Sequence, residues 1–331
     1  MKAFIHQGNP GLENTFYTDM EVKEPNKGEV KVRLKTAGLN HRDIWNLYRR
    51  PEDAGPVVLG SDGAGVIEEV GPGVEHDVHV GDEVIINPSL RWPVKSDAPP
   101  SDFEIIGVPA NGTFAEYIIV PAENVEPKPK HLSWVEAGVL PLAALTAYRA
   151  LFTRGKLQPH QTVLIPGIGS GVATFALLMA KAVGARVIVT SRSEMKRKRA
   201  MELGADIAID SESDWKEALS GEKVDLVIES VGPATWDKAM DALKVGGTIV
   251  SFGATSGDIV QINLRKLYFG QFNILGTTMG SHEEFREMLR FIEEHQIRPV
   301  IDIVYPLSAA KNAFKRMIEG MQFGKICLRI E

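Results

Sequence analysis

The sequence predicts an α/β fold in two domains, a doubly wound parallel sheet and an antiparallel, barrel-like β domain. Three observations predict it. Residues 1 to about 125 carry short β runs cut by glycine and proline, the pattern of antiparallel strands joined by tight turns. After Pro127-Lys128-Pro129 the texture changes to apolar strand runs alternating with helical periodicity, the pattern of a parallel sheet with crossover helices. The stretches 300–305 and 325–330 return to β texture, so the end of the chain is expected to rejoin the first domain. A chain of 331 residues is too long for one core, and the expected division is 1–125 with 296–331 for the barrel and 126–295 for the parallel sheet.

The β runs of the first domain are 30–36, 64–70, 83–86 and 114–120. Those of the parallel sheet are 162–166, 186–190, 206–209, 224–229, 247–252 and 273–277. Helices are expected over 134–151, 172–183 and 194–203, where apolar residues recur every three or four positions. Gly184 and Gly204 stand where two of these helices should stop.

Composition narrows the function. With 44% hydrophobic and 24% charged residues the chain is neither disordered nor fibrous. It carries 37 basic and 43 acidic residues, a net charge of −6, and no basic tract to follow a phosphate backbone, which argues against a nucleic-acid partner. Cys327 is the only cysteine, so no internal disulfide or cysteine-rich zinc lobe is expected and a reducing, cytoplasmic setting is favoured. It lies in an alternating strand and reads as a small buried apolar residue. Residues 1–8 lack the apolar core of a secretory signal. The uncharged stretch between Lys156 and Lys181 is broken by Pro159, Pro166, Gly167, Gly169 and Gly171, which argues against a membrane helix.

The strongest chemical signal is Gly167-Ile168-Gly169-Ser170-Gly171-Val172-Ala173, which follows an apolar strand and opens an apolar helix. Small residues there let the backbone approach a pyrophosphate, and the helix N-terminus supplies free N–H groups and a positive dipole end. At the tip of the next strand an NAD enzyme usually carries a carboxylate for the ribose hydroxyls. Here the segment reads Thr190-Ser191-Arg192-Ser193-Glu194-Met195-Lys196, so Ser191, Arg192 and Lys196 are expected to receive a 2′-phosphate, and NADP(H) is the expected cofactor. Arg197, Lys198 and Arg199 read as the solvated face of a helix.

Further stretches carry a family resemblance: Ala37-Gly38-Leu39-Asn40-His41-Arg42-Asp43, Gly60-Ser61-Asp62-Gly63-Ala64-Gly65-Val66-Ile67, Val80-Gly81-Asp82-Glu83-Val84, Leu145-Thr146-Ala147-Tyr148, Leu203-Gly204-Ala205-Asp206, Val245-Gly246-Gly247 and Phe323-Gly324-Lys325. With the glycine turn they make the chain resemble the medium-chain dehydrogenase/reductase superfamily over essentially its whole length. The resemblance implies a GroES-like catalytic domain completed by the C-terminal segment, a Rossmann domain, an active site in the cleft between them, and a homodimer or homotetramer. Family topology puts 273–277 at the sheet's edge, where pairing with its copy would join two chains; a monomer with the edge covered by 257–269 is the other reading.

The departures from the family pattern concern metal. Zinc alcohol dehydrogenases of the superfamily hold the catalytic ion with Cys, His and Cys where this chain has Asn40, Ser61 and Leu142, and a nearby Glu is replaced by Asp62. The structural-zinc lobe, normally bearing four cysteines, reads Ser89-Leu90-Arg91-Trp92-Pro93-Val94-Lys95-Ser96-Asp97. Neither zinc is expected. The chain looks like the zinc-independent, quinone-oxidoreductase-like branch, although it lacks the tyrosine some members carry near Trp45. His76-Asp77-Val78-His79 has metal-like spacing but no third ligand and reads as a solvated loop.

The activity so implied is hydride transfer between NADPH and a quinone, enone or other activated carbonyl, since no Lewis acid is available for an unactivated one. By family position Asn40 and Ser61 line the vacated metal pocket and are expected to donate to the substrate oxygen, with simple packing as the alternative. Asp43 reads as structural, and Asp62 with Lys325 as an ion pair linking the domains. The resemblance assigns Ser170, Gly171 and Val172 to the pyrophosphate, Ser230 and Val231 to the adenine, and Thr146, Gly253, Ala254, Thr277 and Met279 to the nicotinamide side. His41 and Lys325 are assigned to the phosphates from the catalytic domain. Two other readings stay open: an NADPH-binding regulatory or partner protein on the same scaffold, and an alcohol dehydrogenase with an atypical metal site.

Overall fold

A computed structural model describes residues 1–75 and 77–330. The chain divides into two units, Met1–Leu145 with Gly280–Glu331, and Thr146–Met279. These boundaries differ from 125/126 and 295/296, and the reason is packing. The strand Val125–Pro127 pairs with Glu83–Ile86, and the carbonyl of Trp134 accepts a bond from Thr36 Oγ1 at 2.6 Å. The helix His282–Glu294 is hydrogen-bonded to the 89–97 lobe through His282 N to Trp92 O (2.8 Å) and Glu283 N to Pro93 O (3.2 Å). A change of texture along the chain marks a change of element type, whereas a unit boundary depends on which partner each element packs against.

In the first unit, one sheet runs in the order Val125–Pro127, Glu83–Ile86, Asp62–Val70, Glu29–Gly38, Lys325–Arg329, Ile301–Pro306, with Tyr117–Pro121 also paired to Glu29–Gly38. Its pairs are antiparallel except Ile301–Pro306 with Lys325–Arg329. A smaller sheet joins Thr15–Asp19, Lys2–Gly8 and Ala54–Val58. The C-terminal segment thus completes a GroES-like barrel. Phe314 of the helix Ala310–Ile318 is buried in its core beside Phe4 and Phe114. Two glycines let the helix Trp134–Gly138 lie on the sheet, since a Cβ on Gly38 would come within 2.7 Å of Val139 Cα and one on Gly138 within 2.2 Å of Thr36 Oγ1. Cys327 is fully buried in the sheet, and burial pushes its thiol up to about 12.

The expected helix over 134–151 is broken into Trp134–Gly138, Pro141–Tyr148 and a wide turn at Arg149–Arg154. Pro141 has no N–H to continue the first helix and is suited to open the second. The lobe without cysteines is built on Trp92 instead, which is 1% exposed and stacks edge-on against Phe103 at 5.3 Å.

The second unit is a six-stranded, fully parallel sheet in the order Ile207–Ile209, Arg186–Thr190, Thr162–Ile165, Val224–Glu229, Leu243–Ser251, Asn273–Gly276. This is the Rossmann order, and its direction reverses beside Thr162–Ile165, where such sheets bind their ligand at the strands' C-terminal ends. No helix among the described residues is long and apolar enough to cross a membrane; the stretch after Lys156 instead forms the strand Thr162–Ile165 and the helix Gly171–Ala182.

Candidate functional site

In the first unit the site grows from the junction of Glu29–Gly38 with the helix His41–Arg49. Asn40 caps this helix, and Asp43 accepts the Asn40 N–H through Oδ2 at 2.8 Å. Asp43 is fully buried, its Oδ1 has no partner, and burial raises its carboxyl to about 7. The chemistry concentrates around Lys325, which is 2% exposed. Its ammonium donates to Leu39 O (2.9 Å), Asn40 Oδ1 (2.5 Å) and Asp62 Oδ2 (3.0 Å). Three N–H groups meet three acceptors, so the cation is saturated. Asp62, also fully buried, accepts from Asn40 Nδ2 (2.8 Å) and from the backbone N–H of Leu142 (2.7 Å).

The three positions to which the family resemblance assigns metal ligands all lie in one unit, and their polar groups are engaged in other bonds. Asn40 spends both ends of its amide on Asp62 and Lys325. Leu142 contributes only a backbone N–H. Ser61 is buried; its hydroxyl donates to Ile106 O and accepts from Arg42 Nη1, each at 2.6 Å. A zinc ion needs thiolate, imidazole or carboxylate donors with lone pairs to spare, and an ammonium and a guanidinium within the cluster would repel it. These residues do not fit zinc. No group of three or more His, Cys, Asp or Glu side chains among the described residues is arranged to hold a metal. His76 lies outside the described residues, and His79 is exposed, 3.8 Å from both Asp77 and Asp82.

Several expectations need correction. Asn40 and Ser61 were expected to donate to a substrate oxygen, yet the Ser61 hydroxyl donates to Ile106 O and one of the two Asn40 amide hydrogens goes to Asp62. Lys325 is not turned towards a phosphate, because all its donors are used inside the unit. Asp62 and Lys325 do pair, but both belong to the first unit, so the bond does not link two domains. His41 is exposed at the helix start, where desolvation and then the Lys325 charge lower its pKa. Sequence reasoning gave no place to Arg42, which donates to Ser61 Oγ and Ile106 O.

In the second unit, Gly167 (φ 71°) and Gly169 (φ 125°) take left-handed conformations in the turn. Ser170 caps the helix Gly171–Ala182 by accepting from Ala173 N, which leaves the first N–H groups, those of Gly171 and Val172, directed out of the helix start. The Lys196 side chain lies over the turn: a Cβ on Gly169 would meet its Cδ at 2.9 Å and its Nζ at 3.4 Å. Ser191 is buried at the tip of Arg186–Thr190, with Arg192 exposed beside it. Arg197 is not simply solvated, since it donates to Ser191 O (2.6 Å) and Asp210 Oδ2 (2.8 Å) and so fixes the backbone of this tip. Lys198 pairs with Glu194 on the exposed face.

Ser230, Val231, Gly253, Ala254, Thr277 and Met279 follow the carboxyl ends of three strands of this parallel sheet. Thr255 N donates to Ser230 O (3.2 Å) and Ser256 N to Val231 O (2.7 Å), which joins the loops after Val224–Glu229 and Leu243–Ser251. A Cβ on Gly253 would sit 3.1 Å from Ser230 O. Glu229 shapes this corner from below: fully buried, it accepts from Val231 N (2.5 Å), Gly232 N (3.0 Å) and Thr235 Oγ1 (2.9 Å), while burial raises its pKa. Ala254 lies in the joined loops, Met279 is buried with φ 42°, and Thr146 is buried at the start of the unit. Thr277 Oγ1 is buried with no hydrogen-bond partner, an unpaired polar atom of the kind a ligand satisfies. A helix start open to an anion, a glycine cradle and this orphan hydroxyl fit a dinucleotide.

The ammonium network makes a direct prediction. Lys325→Met leaves Asp62 buried without its cation and should cost about 3–5 kcal/mol in chemical denaturation, with Asp62→Asn in that background recovering part of the loss. A Lys325→Met protein as stable as the wild type would contradict the assignment.

Comparison with known proteins agrees with both halves of this architecture. A family profile described as "Alcohol dehydrogenase GroES-like domain" matches residues 26–130, and one described as "Zinc-binding dehydrogenase" matches residues 171–294. A zinc-type alcohol dehydrogenase-like protein of Leptosphaeria maculans is 35% identical over 331 residues, covering 92% of this chain and 92% of its own. The crystal structure of an NAD-dependent alcohol dehydrogenase has a TM-score of 0.90 and 36% identity, covering 100% of both chains. A crotonyl-CoA reductase of Streptomyces collinus is 28% identical, covering 95% of this chain and 81% of its own. A barrel closed by the C-terminal segment, a Rossmann sheet with its glycine turn and this similarity along nearly the whole chain lead to one conclusion: the chain belongs to the medium-chain dehydrogenase/reductase superfamily and is an alcohol dehydrogenase-like oxidoreductase of that pyridine-nucleotide-using family.

Proposed function

We propose that the protein is an NADPH-dependent, zinc-independent oxidoreductase that transfers hydride to a quinone, enone or other activated carbonyl. The observation that carries this reading is the occupation of the three metal-ligand positions by hydrogen bonds to Lys325, Asp62 and Arg42. Without a Lewis acid to polarise an unactivated ketone or acidify an alcohol, the substrate must accept hydride readily by its own electronic structure. The relative named a crotonyl-CoA reductase is consistent with reduction of a conjugated acceptor.

When bound, the cofactor would supply the hydride. Ser170, Gly171 and Val172 would hold its pyrophosphate, Ser230 and Val231 its adenine, and Thr146, Gly253, Ala254, Thr277 and Met279 its nicotinamide end, with Thr277 Oγ1 gaining a partner. Ser191, Arg192 and Lys196 would take the 2′-phosphate: the strand tip carries no carboxylate to repel it, Arg192 is exposed there and Lys196 reaches across the turn. Although one similar structure is named an NAD-dependent enzyme, it is this residue set that favours the phosphorylated cofactor.

The test is oxidation of NADPH and of NADH by chelator-treated protein against a panel of quinones, enones and aldehydes. Turnover with NADPH and an activated acceptor is expected; absence of turnover with every acceptor would favour a regulatory protein on this scaffold. Arg192→Ala should weaken NADPH by about 1.5–3 kcal/mol, the worth of a charge-assisted hydrogen bond, and leave NADH nearly unchanged. Equal losses for both cofactors would remove Arg192 from the phosphate site.

We also propose that the protein is a homodimer, or a tetramer built from it. The strand Asn273–Gly276 ends the parallel sheet, so its outer N–H and C=O groups form an edge suited to two-fold pairing with a copy. Leu264, Tyr268 and Phe269, on the helix just before this strand, are exposed apolar residues of the sort an interface covers. Light scattering should give at least twice the 36.3 kDa of one chain, with Ile274→Glu splitting the assembly. A single 36.3 kDa species at micromolar concentration would reject it.

A further inference from the structure

We propose that Arg197 and Asp210 together set the choice of cofactor in the second unit: Arg197 fixes the strand tip and, by pairing with Asp210, neutralises a carboxylate that would otherwise repel a 2′-phosphate there. The inference rests on the NADPH reading above and adds a positioning residue to it.

The segment that follows Arg186–Thr190 is tied on several sides. Ser191 N donates to Ile209 O (3.2 Å) and Ser211 N to Ser191 O (3.4 Å), so residue 191 runs beside the end of the neighbouring strand Ile207–Ile209. Thr190 Oγ1 and Ser211 Oγ meet at 2.9 Å. Ser193 N donates to Ser191 Oγ (3.1 Å), and Ser193 caps the helix Glu194–Glu202 by accepting from Lys196 N (3.3 Å). From the first turn of that helix Arg197 Nη1 reaches back to Ser191 O at 2.6 Å. Ser191 O belongs to the planar peptide unit that leads into Arg192, so this bond fixes the direction in which Arg192 leaves the tip.

The same nitrogen meets a charge. Arg197 Nη1 also donates to Asp210 Oδ2 at 2.8 Å, which places the Asp210 carboxylate one bridging nitrogen away from the Ser191 carbonyl. Asp210 Oδ1 accepts from Glu212 N at 2.9 Å. That N–H, the Arg197 guanidinium and the Lys238 ammonium hold the Asp210 carboxyl below the usual carboxylate range, so it is charged at neutral pH. Lys238 itself donates to Ser211 O (2.8 Å) and Ser213 O (3.0 Å). Glu194 feels the Arg197 charge as well, but its ion pair is with Lys198 at 2.8 Å.

A carboxylate at such a tip accepts the ribose hydroxyls of NAD(H) and repels the 2′-phosphate of NADP(H). The tip itself carries Ser191 and Arg192, yet the neighbouring strand delivers Asp210 to its flank. Paired with Arg197, that carboxylate adds no net charge beside the phosphate site. The side chains of the pair are 21% and 40% exposed, and an ion pair so open to water contributes little to folding, so its effect should appear in binding.

The test uses two nucleotides that differ only in the 2′-phosphate, adenosine 2′,5′-bisphosphate and 5′-AMP, titrated calorimetrically into the whole protein. The wild type should bind the bisphosphate more tightly. Arg197→Met should weaken the bisphosphate about tenfold and 5′-AMP less than about twofold, since the freed carboxylate acts on the added charge. Asp210→Asn in that background should recover part of the loss, and Arg197→Lys should avoid most of it. In about 1 M salt, where the screening length falls to about 3 Å, the loss should largely disappear. Equal losses for both nucleotides, with no recovery from Asp210→Asn and no effect of salt, would show a merely structural role and overturn the proposal. Unchanged discrimination in Arg197→Met would also overturn it. Asp210→Asn alone keeps Arg197 in place and should bind the bisphosphate at least as tightly as the wild type; weaker binding would reject the proposal even if Arg197→Met is unstable. A wild type that binds the bisphosphate no more tightly than 5′-AMP would remove the phosphate reading itself, and this proposal with it.

Discussion

Burying an ammonium costs several kcal/mol unless every donor is bonded, and Lys325 meets that condition with Leu39 O, Asn40 Oδ1 and Asp62 Oδ2. The rest of the first unit's site depends on this cation. It fixes Asn40 in the cap of the helix that carries Arg42 and Asp43. It also holds Asp62, which in turn receives Asn40 and the backbone of Leu142. The C-terminal strand Lys325–Arg329 pairs with Glu29–Gly38, so one side chain ties the last strand of the chain to the first functional segment. Of the three positions to which the family resemblance assigns metal ligands, Asn40 and Leu142 bond within this network and Ser61 accepts from the neighbouring Arg42 guanidinium.

The second unit solves a different problem by different means. Its site is made mainly of backbone: a helix start, two left-handed glycines and the joined loops at the carboxyl ends of two adjacent strands. Such a site tolerates wide sequence change because main-chain N–H groups do the binding. In the proposed reading, the choice between cofactors falls to a few side chains at the strand tip. There Arg197, bonded to Ser191 O and Asp210, shapes the backbone, while Arg192 stays exposed.

Much of the fold was legible because its signals are local. The glycine turn, the six apolar strand runs and the return of the C-terminus to β texture follow from backbone geometry and pattern. The break at Pro141 was missed because the apolar spacing continues across it and hides two helices as one. The unit boundaries were missed because 126–145 and the helix His282–Glu294 belong to the first unit through contacts distant in sequence. At the candidate site, the sequence paired Asp62 with Lys325 but did not give the bonds that Asn40 and Ser61 make. Whether an asparagine amide points at a substrate or at a buried lysine depends on residue 325, and no spacing rule reads that. Arg42 escaped notice for the same reason, since its bonds go to Ser61 and to Ile106 O, both distant in sequence.

If the Lys325–Asp62–Asn40 network and the Arg42–Ser61 pair fill the space of a metal site, the protein should function with no metal at all. Elemental analysis of the purified protein, with activity measured before and after chelation, tests this most directly. The account predicts no stoichiometric zinc and unchanged turnover after chelation. One zinc per chain, or activity that disappears with the chelator and returns with added zinc, would contradict it.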